Sequence, residues 1–559
     1  MRLAPAVFLT LALGAAVRDG RALLDAVRGD DRAAVERLLK QGVNPNERES
    51  DGTTPLAWAA MRANTGVAAI LLKAGADPNL ANELGIVPLG IAVANASVDM
   101  AKLLLTNRAS ANAARENGET PLMTAAHLGR VDMMKLLLVH GAKVNERDRK
   151  FGQTALMWAA GQPEAVRLLL EYGADARVVT KSWDIKYTIY LPTTVTLGKT
   201  GIPWNNEGDY TARKGGQNAL FFAVQKNSLE SVRLLLDAGL EVNAHAADGT
   251  SPLLAALFKW DPPGGTFVPG RGAPATAGSS QRFSPDVRLA DFLMDRGAAV
   301  DAADGAGYTP LQGAALAVAK AARSGTRQRS AYGQTAAALA LGSDDSPDAA
   351  GTLKDALALV RRMLGAGADP NRQAVYPTGG PAGDVRINPA PPGSSAMHIA
   401  ASSGSVELVQ LLSARGGNPN LVRKDGHTPF SVAVLAGDLG IVREMVARGA
   451  AVNGRWNPQH KIPDPVEAIT LARQNQSILH LAAIEGKAEL LEYLHSQGAS
   501  LTATNSMGET PLDLAGKQER YREAIQRQGA EDDKEKLKKI VRGTAGTDTL
   551  KRLAGLAAK

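Results

Sequence analysis

Apolar positions along this chain fall into two kinds of helical stripe, a short Ala-rich one and a longer Leu-rich one. The pair restarts about every 33 residues. The segment 116–145 shows the design. Asn117-Gly118 supplies a turn that tolerates positive φ. Thr120 is placed as N-cap and Pro121 at the first helical position, where a missing N–H costs nothing. Leu122, Ala125 and Ala126 then predict a short first helix, stopped by Gly129. Val131, Met134, Leu136, Leu137 and Leu138 give a second apolar stripe at helical spacing. Gly141 ends that helix as a left-handed cap, and Val144-Asn145 leads into a projecting turn.

The opening phrase recurs as Thr54-Pro55-Leu56, Pro88-Leu89, Thr154-Ala155-Leu156, Ser251-Pro252-Leu253, Thr309-Pro310-Leu311, Thr428-Pro429-Phe430 and Thr510-Pro511-Leu512. The closing phrase recurs at Gly75-Ala76-Asp77, Gly173-Ala174-Asp175, Gly239, Gly367 to Asn371, Gly416 to Asn420, Gly449 to Asn453 and Gly498-Ala499. Each helix pair alone exposes an apolar face on both sides. Stacking hides both, so the period predicts an all-α solenoid of about eleven or twelve helix–turn–helix units.

These phrases resemble the ankyrin repeat. Two copies carry that family's His after the Ser-x-aliphatic start, at His398 and His480, where Ala57, Met123 and Met157 stand in others. The resemblance implies L-shaped units with projecting β-hairpin turns and a concave face that binds protein partners. Bacterial exported ankyrin-repeat proteins with insertions are the nearest likeness.

Where the phrase breaks, the chain divides. Residues 1–16 read as a signal peptide: Arg2, an apolar run from Leu3 to Leu13, then Gly14-Ala15-Ala16. Repeats are expected over 17–371, with insertions at about 177–213, 259–285 and 318–355. A Pro/Gly-rich linker follows at 372–393, then repeats over 394–516 with an insertion at about 454–473. A charged helical tail fills 517–559, with Leu550, Leu553 and Leu556 as one short stripe. The first insertion alternates through Ile185, Tyr187, Ile189 and Leu191 and reads as a β-hairpin or extended flap. Such insertions are either binding loops or drift in a permissive scaffold. The flap's aromatics either meet a partner or lie against their own repeats.

Charge and chemistry narrow the function. The net charge is +7, with basic and acidic residues interspersed rather than set in one basic face, which argues against nucleic acid. There is no cysteine, so disulfides, thiol nucleophiles and Cys-based metal sites are excluded. His127, His140 and His427 lie in different repeats without metal-ligand spacing. Gly198-Lys199-Thr200 lacks the earlier glycine of a phosphate loop, because Thr193 stands there. Trp58 and Trp158 hold equivalent positions and are expected to pack between repeats.

No enzyme, metal or cofactor is expected. The reading is a non-catalytic, protein-binding scaffold, monomeric, without a stable membrane span, and exported to the periplasm or beyond. A secreted effector that binds a host protein, and an accessory subunit of an envelope enzyme, are the alternatives. Partner-binding candidates are the tip arginines Arg48, Arg115, Arg147, Arg149 and Arg423, and the flap aromatics Trp183, Tyr187, Tyr190, Trp204 and Tyr210.

Overall fold

A computed structural model describes residues 20–192, 204–258, 260–261, 282–283, 285–323, 353–374, 393–423, 426–456, 475–515 and 544–557. The signal-peptide reading, the centres of the insertions, Gly198-Lys199-Thr200 and the first part of the tail lie outside these residues. The chain forms two compact units. One comprises 1–182 with 215–246, the other 183–214 with 247–559.

In the first unit the helices alternate short and long. They are α1 (20–28), α2 (Arg32–Lys40), α3 (Pro55–Met61), α4 (Thr65–Lys73), α5 (Pro88–Ala94), α6 (Val98–Thr106), α7 (Pro121–His127), α8 (Val131–Val139), α9 (Ala155–Trp158), α10 (Pro163–Glu171), α11 (Ala219–Gln225) and α12 (Leu229–Asp237). First helices stack on first helices, α3 on α5, α5 on α7, α7 on α9 and α9 on α11. Second helices do the same from α2 through α12. The caps are the ones the phrase calls for: the Thr54 and Thr120 hydroxyls accept the amides of Ala57 and Met123 at 3.2 and 3.3 Å. Gly129 and Gly141 close their helices at φ of 65° and 83°. α9 is a single turn. Its start has Ala155 in place of Pro, and Gly161 follows soon after.

The core is a column of small and branched residues. Leu56, Leu89, Leu122, Leu156 and Leu220 from the first helices are at most 1% exposed, as are Leu71, Leu104, Leu137, Leu169 and Leu235 from the second. Ala60, Ala92, Ala125, Ala126 and Ala223 are fully buried and let the first helices approach closely.

The second unit repeats the scheme with α13 (Pro252–Leu257), α14 (Val287–Asp295), α15 (Pro310–Arg323), α16 (Leu353–Gly365), α17 (Ala396–Ala401), α18 (Val406–Ser413), α19 (Pro429–Ala436), α20 (Leu439–Ala447), α21 (Ile478–Glu485), α22 (Ala488–Ser496) and α23 (511–515). A final helix, α24 (Thr544–Ala557), packs on α22, with Leu550 and Leu553 buried. It covers the apolar side that the last repeat would otherwise expose.

Short strands mark where the insertions leave the repeats. Strands β1 (Ser182–Pro192) and β2 (Trp204–Gly215) pair as a long ribbon. Trp260–Asp261 pairs antiparallel with Arg282–Phe283 between α13 and α14, and Arg455–Trp456 with Gln476–Ser477 between α20 and α21. Between α16 and α17, Gly393 donates to the Ala374 carbonyl at 2.7 Å and Ala374 to the Ser394 carbonyl at 3.2 Å. These four necks are closed, so the extra chain leaves and returns there at one point.

Candidate protein-interaction surface

Most of the described projecting turns share one backbone plan, and the turn at Asp148 runs one residue longer, its amide reaching the Gln153 carbonyl at 2.9 Å. Asn82, Arg115, Asp304, Arg423 and Asn505 each donate their amide to the carbonyl four residues on, at 2.9 to 3.1 Å. The glycine just before that acceptor, at 85, 118, 307, 426 or 508, has φ between 72° and 83°. At Asn82, Asp304 and Asn505 the side-chain Oδ1 also accepts two amides of its own turn. The turn is therefore rigid before any partner arrives.

At seven of the described junctions an asparagine side chain joins one repeat to the next. Asn112 donates to the Gly141 carbonyl at 2.9 Å and accepts the Lys143 amide at 2.8 Å. Asn46 bridges Gly75 and Asp77, Asn79 bridges Arg108 and Ser110, and Asn145 bridges Gly173 and Asp175 in the same way. In the second unit Asn371, Asn420 and Asn453 repeat the bridge. Arg177 takes the corresponding place just before β1, and a guanidinium has no acceptor with which to make it. The sequence carried a signal for these staples, since Asn46, Asn79, Asn112 and Asn145 are spaced by 33.

The two family-type histidines staple as well. His480 accepts the Ser477 amide at Nδ1, 3.2 Å away, and reaches the Glu509 carbonyl from Nε2 at 2.8 Å. His398 does likewise with Ser395 and His427, at 3.1 and 3.3 Å. An Nδ1 that accepts an amide proton fixes the neutral Nε2–H tautomer as the donor to the next repeat. Burial holds the His480 pKa below the usual imidazole value, against the opposing pull of the Glu509 carbonyl.

The tip arginines divide by what they touch. Arg48 is exposed and donates to the Ala81 carbonyl of the next turn at 3.3 Å. Arg115 is half-buried and pairs with Glu119 at 3.2 Å. Arg147 and Arg149 are exposed and reach backbone carbonyls of Gly152, Val179 and Glu116. Arg423 is 8% exposed, with its guanidinium against the Ser394 hydroxyl, so it is not displayed at the tip. Its first-position place in the turn lies under the preceding neck, which a mixed-charge pattern does not reveal. Trp183 is the second residue of β1 and is 40% exposed. Tyr187 and Tyr190 fall within β1, and Trp204 and Tyr210 within β2; their side chains lie outside the described residues.

Beside the tips, the first helices of unit one leave one row incompletely covered. Trp58, Ile91, Thr124, Trp158 and Phe222 hold the same repeat position and are all half-buried, each followed by a buried alanine. Trp58 donates its indole N–H to Glu49 at 3.0 Å, and Arg28 lies over its ring at 4.6 Å. Trp158 meets the exposed His127 edge-on, with ring centroids 5.6 Å apart. A shallow recess of about 450 Å³ between tips is lined by Leu84, Ile86, Arg115, Glu116 and Asn117, and Leu84 is 67% exposed. This combination of apolar footholds and fixed charges is suited to holding a protein surface. Among the described residues no group of three or more His, Asp or Glu is placed to hold a metal ion. Among them, too, no helix is long and apolar enough to cross a membrane.

Comparison with known proteins agrees with this architecture. The profile for ankyrin repeats (3 copies) matches residues 7–82, 23–114, 89–180 and 348–455, and that for ankyrin repeats (many copies) matches 464–515. The chain belongs to the ankyrin-repeat family. That fold is a protein-interaction fold and typically non-catalytic. The cyclin-dependent kinase 4 inhibitor B of Rattus norvegicus is 32% identical over 119 residues, 21% of this chain and 79% of that protein. The transient receptor potential cation channel subfamily A member 1 homolog of Caenorhabditis elegans is 32% identical over 21% of this chain but only 9% of its own. The E3 ubiquitin-protein ligase KEG of Arabidopsis thaliana is 30% identical over 22% of this chain and 7% of its own. This chain therefore spans less than a tenth of either of those two large proteins.

Proposed function

We propose that this protein is a non-catalytic scaffold that binds a protein partner through the hairpin tips and the half-buried row of its first helices. The observation that carries this reading is the row Trp58, Ile91, Thr124, Trp158 and Phe222, left half-open beside the buried Leu56, Leu89, Leu122, Leu156 and Leu220 of the same helices. The aromatics of β1 and β2 are proposed as partner-binding residues in their own right. The scaffold acts as a monomer outside the cytoplasm, after removal of residues 1–16. Arg2 and the apolar run from Leu3 to Leu13 support export.

A photo-crosslinking residue at position 91 tests the binding face, with one at Lys102 on a second helix as comparison. A discrete protein adduct in the source cell from position 91 and none from 102 is expected. Equal labelling from both positions would sink the assignment. N-terminal sequencing of the purified native protein tests export, and an intact Met1 would overturn it.

A further inference from the structure

We infer that the two adjacent tips at 147–153 and 177–181 of the first unit form a docking patch for an acidic, extended segment of the partner protein. This inference rests on the protein-binding reading above and adds the chemistry of what is bound. Arg147, Arg149, Arg177 and Lys181 are all exposed there, and among the described residues none of the four forms an ion pair. The charges of Arg147, Arg149 and Lys181 are instead held in place by neutral backbone, while the Arg177 side chain projects beside them. Arg147 donates from Nε to the Gly152 carbonyl at 3.0 Å and from Nη2 to the Val179 carbonyl. Lys181 donates to the Arg149 carbonyl at 2.7 Å. A carbonyl fixes a cation without cancelling it, so part of the ordering cost of binding is met beforehand.

The acids nearby are held by backbone amides or by Lys143, and none of them pairs with these four side chains. Asp148 is buried, and its two oxygens accept the Phe151 and Gln153 amides at 2.6 and 2.8 Å. Glu146 lies 3.9 Å from Lys143, and Asp175 accepts the Arg177 amide at 2.9 Å. Val179, 45% exposed, supplies an apolar foothold among the cations. The earlier tips of the same unit carry exposed acids instead, Asp51, Glu83 and Glu116. A nucleic acid strand running along the tips would meet those carboxylates within a few repeats. A short acidic peptide confined to two tips would not.

The test uses the full chain and a fluorescein-labelled peptide of alternating Leu and Glu, followed by anisotropy. Its Leu-Gln counterpart and an oligo-dT strand serve as comparisons. The Leu-Glu peptide is expected to bind, more weakly as salt rises and screening shortens the reach of the field. The Arg177→Glu variant is expected to weaken it by roughly tenfold or more. Lys73→Glu, an equal charge change on a second helix, is expected to leave it within about twofold. The inference fails if Leu-Gln binds as well, if both variants weaken binding equally, if oligo-dT binds more tightly, or if the Leu-Glu peptide does not bind. If it fails while position 91 still crosslinks a partner, the scaffold reading stands with a different ligand chemistry. If position 91 is also silent, both readings fall.

Discussion

The imidazole of His480 reaches the carbonyl of Glu509, 29 residues further along, while its other nitrogen receives the amide of its own N-cap. Only the neutral ring can do both. Because burial lowers its folded pKa below the unfolded value near 6.5, the unfolded chain takes up this proton first as pH falls. The stabilisation is complete above about pH 6.5 and declines as pH drops towards the folded pKa. Melting of the wild type and His480→Ala should differ by about 1–3 kcal/mol at pH 7.5, and the gap should narrow on acidification. A pH-independent gap would contradict this account.

Asp304 behaves in the opposite sense. Burial pushes its carboxyl up to about 6, the nearby Asp248 adds to this, and the Tyr308 and Ala306 amides and Lys214 oppose it. The folded state therefore keeps a proton that the unfolded chain releases between about pH 4 and 6, and its contribution falls as pH rises through that window. Asp304→Asn retains the Oδ1 acceptor for both amides, as Asn82 and Asn505 do in matching turns. It should stabilise the protein at pH 7 by about 1–2 kcal/mol and remove that part of the slope. Denaturant titrations at pH 4.5 and 7 measure both effects.

The asparagine staple predicts a contrast between two substitutions at one position. Asn112→Ala loses both hydrogen bonds in a solvated place and should cost about 1 kcal/mol. Asn112→Asp keeps the acceptor for Lys143 but sets a carboxylate against the Gly141 carbonyl, so it should cost more. Hydrogen exchange of the Lys143 amide reads this locally. Faster exchange in the Ala variant than in the Asp variant is the expected pattern.

Gly118 is held by two constraints at once. Its φ is +83°, and a Cβ there would lie 2.5 Å from the Arg149 amide nitrogen of the next turn. That amide donates to Asn117 at 2.9 Å. Gly118→Ala should therefore cost at least about 1–2 kcal/mol and expose the Arg149 amide to exchange. An unchanged exchange rate would show that the turns are not locked together.

The helix pairs were legible because their signals are local: Thr54 and Pro55 start a helix, and Gly75 ends one, within a few residues of each other. The staples were harder to read, since Asn112 finds its partners in the backbone of another repeat, and any residue there supplies the same carbonyl and amide. Arg423 shows the same gap from the other side. A charged residue in a turn reads as exposed, and only the fold brings Ser394 over it. Trp58 and Trp158 share a repeat position in the sequence, and the structure leaves that row half-open.

The staples also bear on how such a chain tolerates being lengthened. Asn112 and Gly141 are separated by 29 residues, whereas Asn371 and Gly416, and Asn453 and Gly498, are separated by 45, yet the three bonds measure 2.9, 2.8 and 2.9 Å. The joint depends on which surfaces meet and is indifferent to how much polypeptide runs between them. Since closing a longer loop adds little entropy, new segments can enter behind a closed neck at small energetic cost. Evolution is then free to vary the loops while the repeats on either side stay in phase.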